Sequence, residues 1–209
     1  MRDTLITIAS IAVVVILIVL FNKYYRHGKG PAPPPPRDFS MEANAQPENG
    51  SRPIVTVDTN KGRFSFELFP EDAPGTVKNF MKLAREGFYD GTIFHRVVPG
   101  FVIQGGDPTG TGRGGPGYTI KAEFNKRRHV AGAVAMARTA DPDSAGSQFY
   151  VCLAPARHLD GQYTVFGQVI EGMDVVLAIG ATPTDKEARP LEKIVMKKVT
   201  ISENPPAKE

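Results

Sequence analysis

From residue 52 to residue 203 the apolar residues come in short runs, each bounded by Gly, Pro, Asp or Asn. This punctuation restricts the fold most, because a strand needs only a few consecutive residues whereas a helix needs at least ten or so. "PIVTVDTNKGRFSFELF" opens with Ile54, Val55 and Val57, turns at Asn60, Lys61 and Gly62, and then alternates Phe64, Phe66 and Leu68 with Arg63, Ser65 and Glu67. Period two with a turn between predicts a hairpin with one buried face. "TIFHRVV", "GFVIQ", "GAVAMA", "SQFYVCLA", "YTVFGQVI" and "EKIVMKKVTIS" read as further strands. Two stretches differ. "DAPGTVKNFMKLAREG" sets Val77, Phe80, Met81 and Ala84 at helical spacing, with Pro74 in the first turn and Gly87 at the stop, and "MDVVLAIG" predicts a second, short helix. With no regular alternation of strand and helix, the expectation is a mainly β, antiparallel barrel or sandwich with two helices. A closed barrel would also leave no exposed edges.

The segments outside this region differ in kind. Leu5 to Phe21, "LITIASIAVVVILIVLF", carries no charge. As a helix it would rise roughly 26 Å, near the thickness of a bilayer's hydrocarbon core. A cleaved signal peptide would need small residues directly after the apolar run, but "NKYYRHGKG" follows, so residues 1–27 are expected to be an uncleaved transmembrane anchor with Tyr24 and Tyr25 at the interface. Residues 28–51, with the run "PPPP", read as a disordered, polyproline-rich tether, residues 52–203 as the folded domain, and 204–209 as a polar tail. Lys23, Arg26 and Lys29 outnumber Arg2, which by the positive-inside rule favours a cytoplasmic domain.

At 41% hydrophobic and 22% charged residues the chain can build a core. A net charge of +3, with no Lys/Arg run interleaved with aromatics, gives no support for a nucleic-acid partner. The single cysteine, Cys152, excludes an intrachain disulfide and a thiolate metal cluster, and within "FYVCLA" it reads as a small buried apolar residue.

The richest chemistry lies in "FHRVVPGFVIQGGDPTGTGRGGPG", residues 94–117. Gly110, Gly112 and Gly115 match G-x-G-x-x-G, but "DPT" precedes them and Pro116-Gly117 follows, so the strand and helix of a dinucleotide site are missing and a glycine-rich loop is the better account. Successive side chains of an extended "FHRVV" point to opposite faces, so His95 and Arg96 cannot line one site, and His95 is expected to be a satisfied structural histidine. Ser144 and Ser147 lack the G-x-S-x-G elbow, and no H-x-x-x-H or H-E-x-x-H pattern suggests a metal. What remains is Arg96, expected to share its face with Phe94 and Val98, together with Gln104 and Gln148 inside otherwise apolar strands. An apolar pocket with a few convergent polar groups is the general form of a ligand site.

"FHRVVPGFVIQGGD", "GAVAMARTADPDSAGSQFYV" and "HLDGQYTVFGQVIEGMDVV" together resemble the signature segments of the cyclophilin-type peptidyl-prolyl cis-trans isomerases, over roughly residues 53–202. The resemblance implies a closed eight-stranded antiparallel barrel capped by two helices, isomerisation of X-Pro bonds without a cofactor, and proline-containing peptides or unfolded proteins as partners. It also implies Arg96 as the catalytic arginine and Phe101, Val102, Tyr150 and Leu159 as walls of the proline pocket. By the same likeness Gln104, Ala137, Arg138 and Gln148 hold the peptide backbone, and Thr139 gates a neighbouring specificity pocket. The chain departs from the best-known eukaryotic pattern where Val102 replaces methionine, Tyr150 phenylalanine and Tyr163 histidine. The loop from Ala137 to Gln148 is one residue longer, as in bacterial members. His158 stands in place of a tryptophan that donates a hydrogen bond to cyclosporin, so weak cyclosporin binding is expected. A tethered isomerase suits the folding of exported proteins, so the resemblance favours the extracytoplasmic side, which is the expectation adopted against the charge count of Lys23, Arg26 and Lys29. The rival readings are a non-catalytic prolyl-peptide binding module and a membrane-tethered chaperone.

Overall fold

The computed structural model describes residues 52–203. The expected anchor, tether and polar tail lie outside these residues. Among the described residues no helix is long and apolar enough to cross a membrane.

The eight strands are β1 (Ile54–Thr59), β2 (Gly62–Leu68), β3 (Arg96–Val98), β4 (Val102–Gly105), β5 (Ala133–Met136), β6 (Phe149–Cys152), β7 (Val165–Glu171) and β8 (Met196–Ser202). They form one antiparallel sheet in the order β3-β4-β6-β5-β7-β2-β1-β8. The hairpin β1–β2 pairs Thr59 with Gly62 across the turn anticipated from Asn60 and Lys61. Its inward residues Val55, Val57, Phe64, Phe66 and Leu68 are fully buried.

Two helices complete the domain: α1 (Pro74–Arg85) and α2 (Met173–Gly180). Helix α1 buries Val77, Phe80 and Leu83. The Phe80 ring lies 4.8 Å from Tyr89, 5.3 Å from Phe166 and 5.5 Å from Phe149, so a single side chain ties the helix to three separate segments of the core. The helix ends at Gly87, whose φ of +70° suits a residue without a Cβ.

The expectation of a closed barrel is corrected, because the ladder stops at β3 and β8. Instead, the segments just before these strands meet: Phe94 N–H donates to Ile194 O at 2.9 Å, and Met196 N–H to Thr92 O at 2.8 Å. Along β3 itself, Val97 N–H donates to Ala188 O at 2.8 Å, so a loop covers an edge that β8 does not reach. The physical reason is the shortness of β3, only three residues long: upstream of Arg96 the stretch "TIFHRVV" makes only isolated bridges, from Ile93 to Asp107 and to Val195. A covered edge avoids unwanted pairing as a closed one does.

The same irregularity corrects the placement of Phe94. Phe94 and Val97 both belong to the main core, so Phe94 does not share a face with Arg96. His95 is 6% exposed, and neither ring nitrogen has a hydrogen-bond partner among the described residues, so it is buried as expected but not satisfied. Burial, the largest influence, lowers its pKa, aided by the charges of Arg189 and Arg96 and opposed by Asp107.

Candidate functional site

Strands β3, β4 and β6 run side by side, and their register sets Arg96 opposite Gln104 and Gln104 opposite Tyr150. Side chains alternate across a sheet. Val97, Ile103 and Val151 therefore enter the main core, while Arg96, Gln104 and Tyr150 share the other face. There Val102, Cys152, Ala133, Ala135 and Val165 build a second buried apolar cluster, with Phe101, Ala137, Leu159 and Tyr163 packed partly exposed against it.

The result is a cavity of about 240 Å³. Phe101, Val102, Tyr150, Leu159, Tyr163 and Ala137 supply its largely apolar wall, and Arg96, Gln104 and Arg138 its polar rim. All of these were named from the sequence. Thr139 and Gln148 line a neighbouring cavity of about 310 Å³ that shares Gln104, Ala137 and Arg138 with the first. His158 belongs to neither lining; its ring stacks on Phe101 with centroids 5.5 Å apart.

Arg96 is half-buried, and its Nη1 donates to Gln104 Oε1 at 3.3 Å. No carboxylate lies within ion-pair distance of it among the described residues. Its remaining N–H donors are therefore not neutralised by a counter-charge. Gln104 Nε2 in turn donates to Gln148 Oε1 at 3.0 Å, and Gln148 Nε2 donates to the carbonyl of Gly114 at 2.9 Å.

Arg138 is committed differently. Its guanidinium donates to the carbonyls of Gln162 at 2.9 Å and Thr139 at 2.8 Å, and lies 4.6 Å from the centre of the Tyr163 ring. It thereby braces the loop from Ala137 to Gln148 against the segment that carries Tyr163. Within that loop the Ser144 hydroxyl donates to Asp141 O and accepts from the Thr139 N–H and hydroxyl.

Several contributors were not evident from the sequence. Behind Tyr150 lies His129, 1% exposed. Asp160 accepts from both the His129 backbone N–H at 2.8 Å and ring Nδ1 at 3.0 Å, which leaves Nε2 to accept the Tyr150 hydroxyl at 3.0 Å. Those two hydrogen bonds hold the Asp160 carboxyl below the usual carboxylate range. Burial pushes the Tyr150 phenol up and the Cys152 thiol up to about 12, so both remain protonated and the thiol is unreactive. Arg113, in the lining of the second cavity, was also missed. A histidine preceded by charges at 126–128 carries no local signal of pairing with a tyrosine 21 residues away.

Comparison with known proteins places these features in a family context. Residues 54–201 match the family model described as cyclophilin type peptidyl-prolyl cis-trans isomerase/CLD. Peptidyl-prolyl cis-trans isomerase B of Bacillus subtilis is 55% identical over 138 residues, 65% of this chain and 94% of its own length. A peptidyl-prolyl cis-trans isomerase of Arabidopsis thaliana is 43% identical over 155 residues, 72% of this chain and 94% of its own. A cyclophilin type peptidyl-prolyl cis-trans isomerase of Cryptosporidium parvum, crystallised in the presence of the dipeptide Ala-Pro, superposes with a TM-score of 0.69 at 37% identity, covering 72% of this chain and 99% of that one.

Proposed function

This chain belongs to the cyclophilin-type peptidyl-prolyl cis-trans isomerases, and on that premise we propose that it accelerates X-Pro rotation in proteins folding at a membrane, with Arg96 as its catalytic group. Resonance gives the peptide bond a rotational barrier of about 18–20 kcal/mol, and only X-Pro bonds populate cis appreciably. Catalysis has to weaken that resonance. The prolyl ring sits in the hollow formed by Phe101, Val102, Tyr150 and Leu159 while the carbonyl side of the bond turns. As the bond twists, the prolyl nitrogen becomes pyramidal and its lone pair localises. An Arg96 N–H donates to that lone pair, an interaction made mainly in the transition state, so it lowers the barrier rather than merely binding substrate. No proton transfer, nucleophile or metal is required.

The observation that carries this reading is Arg96 at the rim of an apolar hollow, anchored by a neutral glutamine rather than by a carboxylate. A carboxylate partner would screen the charge that the transition state needs. Arg96→Ala is expected to lower kcat/KM for a prolyl peptide on the order of 100-fold, with an unchanged circular dichroism spectrum. Near-normal turnover of the folded variant would remove Arg96 from the mechanism.

The hydrophobic segment 5–21 supports a single-pass anchor and the Pro-rich stretch 28–51 a spacer; the role of a tethered isomerase favours the extracytoplasmic side, where exported proteins and other unfolded chains are the substrates, against the charge count of Lys23, Arg26 and Lys29. Weak cyclosporin binding follows from the imidazole of His158, which stacks on Phe101 where a tryptophan would offer an indole N–H. Calorimetric titration checks this: His158→Trp should bind more tightly than the native chain, and tight binding by the native chain would refute the role of position 158.

A further inference from the structure

The glycine-rich stretch that failed as a dinucleotide motif is folded around a buried carboxylate. Asp107 is 0% exposed. Its Oδ1 accepts from the backbone N–H and hydroxyl of Thr109 at 2.7 and 2.8 Å, and its Oδ2 from the N–H groups of Gly112 and Gly114 at 2.6 and 3.1 Å. Burial acting alone would raise this carboxyl, but the hydrogen bonds from Gly114, Thr109 and Gly112 outweigh it and hold the group down to about 2. The loop is further held where Arg189 Nη2 donates to Thr111 O at 3.2 Å.

This clasp aims the Gly114 carbonyl at Gln148, and the aim has a chemical consequence. A backbone carbonyl can only accept. Gln148 must therefore present its NH₂ group to Gly114, which leaves Oε1 for Gln104. Gln104 must then present its own NH₂ to Gln148, which leaves Oε1 for Arg96. A glutamine amide has nearly the same shape in either orientation, so the direction of the row is decided only at its ends. Reversed, the row would turn an NH₂ group toward the guanidinium, and two donors would face each other.

We propose that Asp107 is a positioning residue for isomerisation: by folding residues 107–114 it fixes the Gly114 carbonyl as the terminal acceptor that orients Gln148 and Gln104 and so holds Arg96 toward the prolyl nitrogen. Asp107 itself does not reach the substrate pocket. The inference rests on the reading of Arg96 as the catalytic group.

Two variants of the full-length chain test it. Asp107→Asn sets an amide NH₂ against backbone N–H donors, and Gly114→Ala places a Cβ in collision with Asp107 Oδ1 while leaving the carboxylate in place. Each is expected to lower kcat on the order of tenfold with KM changed by no more than about twofold, the signature of a misplaced transition-state contact. In an Arg96→Ala background neither should lower kcat further, because the residue being positioned is gone. A folded single variant with wild-type kcat, or losses that multiply with that of Arg96→Ala, would overturn the proposal. Should Asp107→Asn fail to fold, Gly114→Ala decides the matter by the same criteria. Near-normal turnover of Arg96→Ala alone would overturn the catalytic role and this inference with it, whereas an inactive Arg96→Ala beside a fully active Gly114→Ala would overturn the inference alone.

Discussion

The Tyr150 side chain serves two environments at once. Its ring lines the cavity beside Arg96, while its hydroxyl donates to His129 Nε2, whose ring is tied in turn to Asp160. Phenylalanine is the more familiar residue here in the family, yet in this chain the substitution Tyr150→Phe would leave a buried imidazole nitrogen without a partner. The expected cost is about 1–2 kcal/mol of stability, the penalty for an unsatisfied buried polar group, with turnover close to that of the native chain because the hydroxyl is directed at His129. Urea unfolding followed by an isomerisation assay separates the two effects, and an unchanged midpoint would show that the hydroxyl adds nothing. His95 offers the opposite case, a buried imidazole whose two nitrogens have no partner among the described residues, one position from Arg96. Alternation predicted correctly that it would not share the site of Arg96, and failed for Phe94 because strict alternation begins only at Arg96.

Helix α1 shows how an element legible in the sequence still depends on a distant residue. Its apolar spacing, Pro74 and Gly87 mark its extent, but Ala73 at its start makes no side-chain cap. The first N–H groups are met instead by Glu123, whose carboxylate accepts from Gly75 N–H at 2.9 Å and from Thr76 N–H and hydroxyl, each at 2.7 Å. A carboxylate at this end also meets the positive pole of the helix. Glu123→Ala is therefore expected to cost about 1–2 kcal/mol, comparable with the loss of a good cap. Thermal unfolding of the variant checks this, and a melting point equal to the native one would mean that solvent caps the helix as well. The β-strands behave similarly. Each anticipated run contains one, while the order β3-β4-β6-β5-β7-β2-β1-β8, which brings Arg96, Gln104 and Tyr150 into one row, has no local signature.

At the scale of the whole molecule, a short edge strand covered by a loop replaces the expected closed barrel, and the face that carries Arg96, Gln104 and Tyr150 lies beside that edge. The apolar segment near the N-terminus adds a separate expectation. Full-length chain should sediment with membranes and resist extraction by high salt, and removal of residues 1–27 should release it in soluble, active form. In intact cells, added protease should digest the domain if it is extracytoplasmic. Complete protection would move it to the side favoured by Lys23, Arg26 and Lys29.

Sequence alone determined the strands, both helices, the hairpin turn and, through three separated motifs, the set of residues around the cavity. The elements are legible because period two, period 3.6 and turn chemistry are local properties, recorded in neighbours a few positions apart, whereas the cavity residues were legible only through the family resemblance that those motifs carry. Only the tertiary structure decided that the barrel stays open, that Glu123 caps α1, that His129 holds Tyr150, and that Asp107 stands at the far end of the row leading to Arg96. Each of these depends on which polar groups meet once the sheet has curled and water has been excluded, and burial compels such groups to find partners far along the chain without prescribing which ones.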